Sequence, residues 1–135
     1  MWMVLLPLAW FLRGSDALDE QLPIEPTSPA WIPMWFAIAG VVGFVEEIVF
    51  RGLVLRRLTT VFASLGSSGA VAWANVVSSL TFGLLHGIDP AVIAVTATIG
   101  LYLALVTRRE GGNLILAMLV HAAQDTLGLT LRSGA

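Results

Sequence analysis

Glu46, Glu47 and Arg51 stand near the middle of residues 34–58, a stretch that otherwise reads as a membrane-spanning helix. An acid or arginine at mid-membrane costs roughly 2.5 to 3.5 kcal/mol on insertion scales, so three of them within six residues require compensation. At 100° per residue Glu47 and Arg51 form an i,i+4 pair on one helical face, with the acid N-terminal to the base, the better order for a helical ion pair. Glu46 is rotated about 100° from Glu47 and shares its face with Phe50. No opposite charge lies three or four residues away on its own helix, so Glu46 must find a partner on another helix or take up a proton.

Membrane is the leading class on composition as well. Of the 135 residues 57% are hydrophobic and 12% charged, with a mean hydropathy of +0.86, whereas a soluble domain carries about 25% charge. The net charge of -2 points to no nucleic-acid partner. With no cysteine, disulfides, thiolate nucleophiles and thiolate metal sites are excluded.

Hydropathy divides the chain into apolar stretches at residues 1–12, 34–58, 70–87, 90–107 and 113–131. About 20 residues at 1.5 Å rise cross a hydrocarbon core near 30 Å, so the last four are expected to span and the first is not. The expected fold class is therefore all-α, a polytopic membrane helix bundle with about four spanning helices plus a partial N-terminal apolar helix. Met1–Leu12 lacks the basic start and cleavage site of a signal peptide and reads as the end of a longer helix. Residues 1–33, holding this piece and an acidic loop with Pro23, Pro26, Pro29 and Pro33, divide from a core at 34–135. Trp31 and Trp35 are expected in an interfacial aromatic belt. Arg56 and Arg57 follow one stretch, and Arg108 and Arg109 another two crossings later, which places these four on one side, expected to be cytoplasmic.

Two later helices carry further polar groups. Asn75, Ser78, Ser79, Phe82 and His86 form a stripe on one helical face, beside a small-residue ridge of Ser79, Gly83 and Gly87 that lets backbones approach closely. Gly87, Asp89 and Pro90 are expected to stop that helix. His121 and Asp125 are again i,i+4, close enough for the carboxylate to set the imidazole tautomer. Each group has a structural reading: Glu47 and Arg51 as a folding clamp, His86 as an interfacial histidine, His121 and Asp125 as a buried pair. Together they favour one polar cavity, because ionisable side chains facing lipid are costly and must converge. A carboxylate, two imidazoles and a further acid around a wet cavity can activate water for an acyl-transfer step.

The motifs Glu46-Glu47-x-x-x-Arg51, Phe82-x-x-x-His86 and His121-x-x-x-Asp125, in this order on successive apolar helices, resemble those of the CAAX protease and bacteriocin-processing (CPBP, or Abi) family of intramembrane endopeptidases. The flanking Phe50-Arg51-Gly52-Leu53 and Thr81-Phe82-Gly83-Leu84-Leu85-His86 fit as well. The resemblance implies peptide-bond hydrolysis by a glutamate-activated water on a peptide or lipidated-peptide substrate, as in CAAX prenyl-protein or leader-peptide processing. It implies Glu46 as general base, His86 holding the water, His121 and Asp125 stabilising the oxyanion, and Glu47, Arg51 and Phe82 in support. A multi-pass protein of the bacterial cytoplasmic membrane without a cofactor is the expectation. Family enzymes usually carry additional helices before the first motif, here reduced to Met1–Leu12. The best-studied members have asparagine where this chain has Asp125. An amide donates to an oxyanion, and an ionised carboxylate would repel it.

Other readings remain at this level. Glu46, His86 and His121 supply the donor types of a zinc site with an open position, the basis of a metalloendopeptidase alternative, though no HExxH is present. The same groups would also serve a non-catalytic immunity or scaffold protein, or a proton relay. Depth poses a problem for any shared site: Glu46 lies about 18 Å along its helix from Met34, whereas His86 sits near a helix end facing the same side. Tilt, a kink at Gly40 or Gly43, or a loop dipping inward after His86 would bring them together.

Overall fold

The computed structural model describes residues 32–132. The first apolar stretch and the acidic loop up to Trp31 lie outside the described residues, as does the side chain of Trp35. The described chain runs as α1 (Ile32–Glu47), a π-helical segment (Ile48–Val54), α2 (Leu55–Ser64), α3 (Ala70–Leu85), α4 (Pro90–Arg109) and α5 (Ile115–Arg132). It is all-helical, with no strand among the described residues.

The first three elements form one helical run, since Glu47, Val54 and Leu55 all keep right-handed helical dihedrals at the junctions. Pro33 falls in its first turn, where a missing N–H costs nothing, rather than in the preceding loop. The run is wider at Ile48–Val54, where the Leu55 N–H reaches back five residues to the Phe50 carbonyl. The stop expected at Gly87 to Pro90 is present. Asp89 caps α4, its Oδ1 accepting from Ala91 N at 2.8 Å and Val92 N at 3.4 Å, and Pro90 takes the first helical position. At the other end of α4, Gly111 and Gly112 adopt φ of 64° and 90°, which lets the Gly112 N–H turn back onto the Thr107 carbonyl at 2.8 Å.

Packing is set by small residues and conceals polar ones. α3 lies against α4, where a Cβ on Gly83 would stand 2.6 Å from the Ile93 carbonyl oxygen and 3.0 Å from the Ala97 Cβ. Ser79 meets Gly100 at the same contact, so part of the expected ridge joins two consecutive helices. α1 packs on α5, with Gly43 facing His121 and Ala122, and α2 packs on α3 through Leu55, Leu58, Phe62 and Ala74. Glu47, Thr96, His121 and Asp125 are at most 1% exposed, whereas Val41 is 64% and Trp73 58% exposed. A chain that turns apolar side chains outward and hides its acids has the distribution lipid favours, the opposite of a water-facing domain.

The expectation of four crossings is met only in part. Pro90–Arg109 is the one helix among the described residues long and apolar enough by itself to cross a bilayer; Ala70–Leu85 is apolar but has 16 residues, about 24 Å. The polar site residues lower the hydropathy of the first run and of α5. Arg56 Nη2 donates to the Gly112 carbonyl at 3.5 Å, which brings the end of α4 to the arginine pair of α2, as the arginine placement predicts.

Candidate active site

The site lies where α3 stops against the flank of α1. Glu46 and Glu47 come from the last turn of α1, Phe50 and Arg51 from the π segment, Phe82 and His86 from the end of α3, and His121 and Asp125 from α5. The depth problem is resolved without a break at Gly40 or Gly43, since α1 is unbroken through both. α3 ends at Leu85 beside Glu46, while α1 continues about 20 Å past it. The α3–α4 turn therefore sits part-way along α1.

Glu46 Oε2 stands 3.7 Å from His86 Nε2 and 3.6 Å from His121 Nε2. The side chain is 15% exposed, and this oxygen is itself buried with no hydrogen-bond partner. As its position on the helix predicts, Glu46 finds its neighbours on other helices. Glu47 and Arg51 make the expected ion pair, Oε1 to Nη1 at 2.9 Å, fully buried. Arg51 Nη2 donates to the Gly100 carbonyl of α4 at 3.0 Å, and the guanidinium lies 4.6 Å over the Phe82 ring. Phe82 is the floor of the site: it packs on His86 at 4.2 Å, on Phe50 edge-on at 4.9 Å and on His121 at 5.9 Å between ring centres.

Both imidazoles have one nitrogen committed. His86 Nδ1 lies 2.6 Å from the Phe82 carbonyl, which can only accept, so Nδ1 carries the proton. His121 Nδ1 lies 2.8 Å from Glu47 Oε1, an oxygen already paired with Arg51, so again Nδ1–H donates. Two Nε2 lone pairs and Glu46 Oε2 thus face one another across a small gap. That is the acceptor set for a water that must be oriented and deprotonated.

Glu47 has a role that helical spacing does not show. The tautomer of His121 is set by Glu47, 74 positions away, and not by Asp125, whose Oδ1 is 3.8 Å from His121 Nε2, beyond hydrogen-bond range. No sequence interval signals such a contact between helices. Asn75, Ser78 and Ser79 are buried as the stripe predicts, but Ser79 meets Gly100 of α4 and serves helix packing. Among the described residues no group of three or more His, Asp or Glu is arranged to hold a metal ion.

Residues 28–127, well over half of the chain and including every site residue, match the family model described as type II CAAX prenyl endopeptidase, Rce1-like. The chain belongs to the Rce1-like family. Neither a curated protein nor a solved structure matches it. This Rce1-like chain is thus a member of the CAAX protease family that its three motifs resemble. The family places it among the membrane-embedded proteases, in keeping with an all-helical bundle that contains an apolar helix of spanning length.

Proposed function

We propose that this protein is an intramembrane endopeptidase that hydrolyses peptide bonds with a water activated by Glu46. The observation that carries the reading is the unpartnered Glu46 Oε2 facing two Nε2 atoms at 3.6 and 3.7 Å, each on an imidazole whose other nitrogen is already committed. A scaffold would require only satisfied pairs, whereas Glu46 Oε2 and Asp125 Oδ1 are buried without hydrogen bonds.

A water between Glu46 and His86 donates one proton to the carboxylate and is oriented by the Nε2 lone pair. It attacks a carbonyl carbon held between this pair and the opposite side of the gap, where His121 and Asp125 lie. The charge that develops on the carbonyl oxygen needs donors there, which Asp125 supplies as a carboxylic acid and not as a carboxylate. By the family description the substrate is a prenylated CAAX-type peptide reached from the bilayer. The α1–π–α2 run, α3, α4 and α5 cross or enter the bacterial cytoplasmic membrane with the arginine-bearing end on the cytoplasmic side.

The test is reconstitution in lipid vesicles with a panel of prenylated and leader peptides, with mass spectrometry to detect a new amino terminus. Wild type is expected to cleave a prenylated peptide, and Glu46→Gln to lose that cleavage. A wild-type protein inert to the whole panel, or an undiminished Glu46→Gln, overturns the reading.

A further inference from the structure

The two histidines are not equivalent, and the difference assigns a proton path. His86 is backed by a neutral carbonyl, that of Phe82, whereas His121 is backed by a carboxylate, Glu47, which Arg51 holds in place from the backbone of Gly100. Resting on the Glu46 reading above, we propose that His121, supported by Glu47 as a positioning residue, carries the water-derived proton from Glu46 to the departing amine.

The geometry requires some such role. With Nδ1–H given to Glu47, a neutral His121 presents a lone pair at Nε2 and has nothing to donate to a carbonyl oxygen. It can accept a proton, and Glu46 Oε2, the atom that takes one from water, is 3.6 Å away, a separation of the kind that tightens in a substrate complex. The imidazolium so formed would be buried at 1% exposure. Glu47 Oε1 at 2.8 Å on Nδ1 compensates it, with Glu46 facing Nε2. His86 has no acid behind it. From every element packed on His121 the charged or titratable neighbours are Glu46 and Glu47 of α1, Arg51 of the π segment, His86 of α3 and Asp125 of α5.

The steps balance. One O–H bond of water breaks, its proton goes to Glu46 Oε2, and the oxygen bonds to the carbonyl carbon as the C=O electron pair moves onto oxygen. Glu46 passes the proton to His121 Nε2. His121 then gives it to the peptide nitrogen while the C–N bond breaks and the C=O re-forms. The products are a carboxylic acid and an amine, and both side chains return to their starting state.

A proton carrier for the leaving group differs from an oxyanion donor in one measurable respect. An amine must be protonated to leave, and a p-nitrophenolate need not be. Two substrates with the same acyl sequence, a peptide amide and a p-nitrophenyl ester, are compared on wild type and Glu47→Gln, in which the amide oxygen still accepts from Nδ1 but offers no charge. Amide cleavage is expected to fall about 10²-fold or more in kcat with KM little changed, and ester cleavage less than about tenfold. Equal losses on both substrates overturn the proposal, since an oxyanion or purely structural role affects both alike.

If Glu47→Gln fails to fold, wild type alone decides the matter across esters of graded leaving-group basicity. A shallow dependence of kcat on basicity supports proton delivery, and a steep one overturns it. Glu46→Gln separates this proposal from the reading beneath it: retained amide cleavage there removes the Glu46-activated water, whatever the amide-to-ester ratio shows.

Discussion

Arg51 ties the acid pair to a helix that contributes no ionisable group to the site: its Nη2 donates to the Gly100 carbonyl at 3.0 Å while its Nη1 stands 2.9 Å from Glu47 Oε1. The planar fork makes both contacts at once, which a lysine ammonium on a single stem does not. Arg51→Lys is therefore expected to lose about tenfold in kcat through a less firmly held Glu47. Arg51→Ala, which leaves Glu47 buried without its cation, is expected to cost about 3 to 5 kcal/mol of stability. Unfolding in detergent and kcat in vesicles measure the two.

Glu46 should contribute to chemistry and little to folding. Its Oε2 has no hydrogen-bond partner, so Glu46→Gln removes no satisfied interaction there. Its thermal midpoint should stay near that of wild type while kcat falls by about 10² to 10⁴, the range of a general base. A collapse of stability with the loss of activity would show instead that Glu46 is structural.

Asp125 gives a prediction of opposite sign. An asparagine there donates to an oxyanion whatever the pH, whereas aspartate does so only when protonated. Asp125→Asn is expected to keep or raise kcat/KM, and Asp125→Leu to lower it by about tenfold or more. A large loss in the asparagine variant would move Asp125 from oxyanion donor to a partner of the charged His121.

Gly83 and Gly40 separate packing from propensity. A methyl on Gly83 would press on the Ile93 carbonyl at 2.6 Å, so Gly83→Ala should destabilise by about 1 to 3 kcal/mol and part α3 from α4. Gly40 has nothing within 4 Å of the added carbon, and Gly40→Ala in mid-helix should be neutral or stabilising by up to about 1 kcal/mol. Paired thermal scans decide it.

Zinc independence is checked directly. Cleavage should persist after treatment with a strong chelator. Loss of activity followed by full restoration with zinc would replace the carboxylate mechanism with a metal-assisted one.

Local chemistry in the chain was enough to determine several features. These are the helical character of the described residues, the i,i+4 pairing of Glu47 with Arg51, the consequent isolation of Glu46, and the Asp89–Pro90 start of α4. Each depends on neighbours within about one turn, where spacing dictates which side chains share a face. Three features were decided only by the tertiary structure. The π widening at Ile48–Val54 exchanges i→i+4 for i→i+5 bonds, a change that composition does not mark. The end of α3 at the level of Glu46 depends on how far one helix slides along another. The 2.8 Å bond from His121 to Glu47 depends on how α5 is rotated against α1. Sequence periodicity specifies the face a residue occupies on its own helix, but the slide and rotation between helices are set by which small residues let backbones touch. Here Gly43 meets His121 and Gly83 meets Ile93 and Ala97, and those contacts turn three separately costly sets of polar groups into one site.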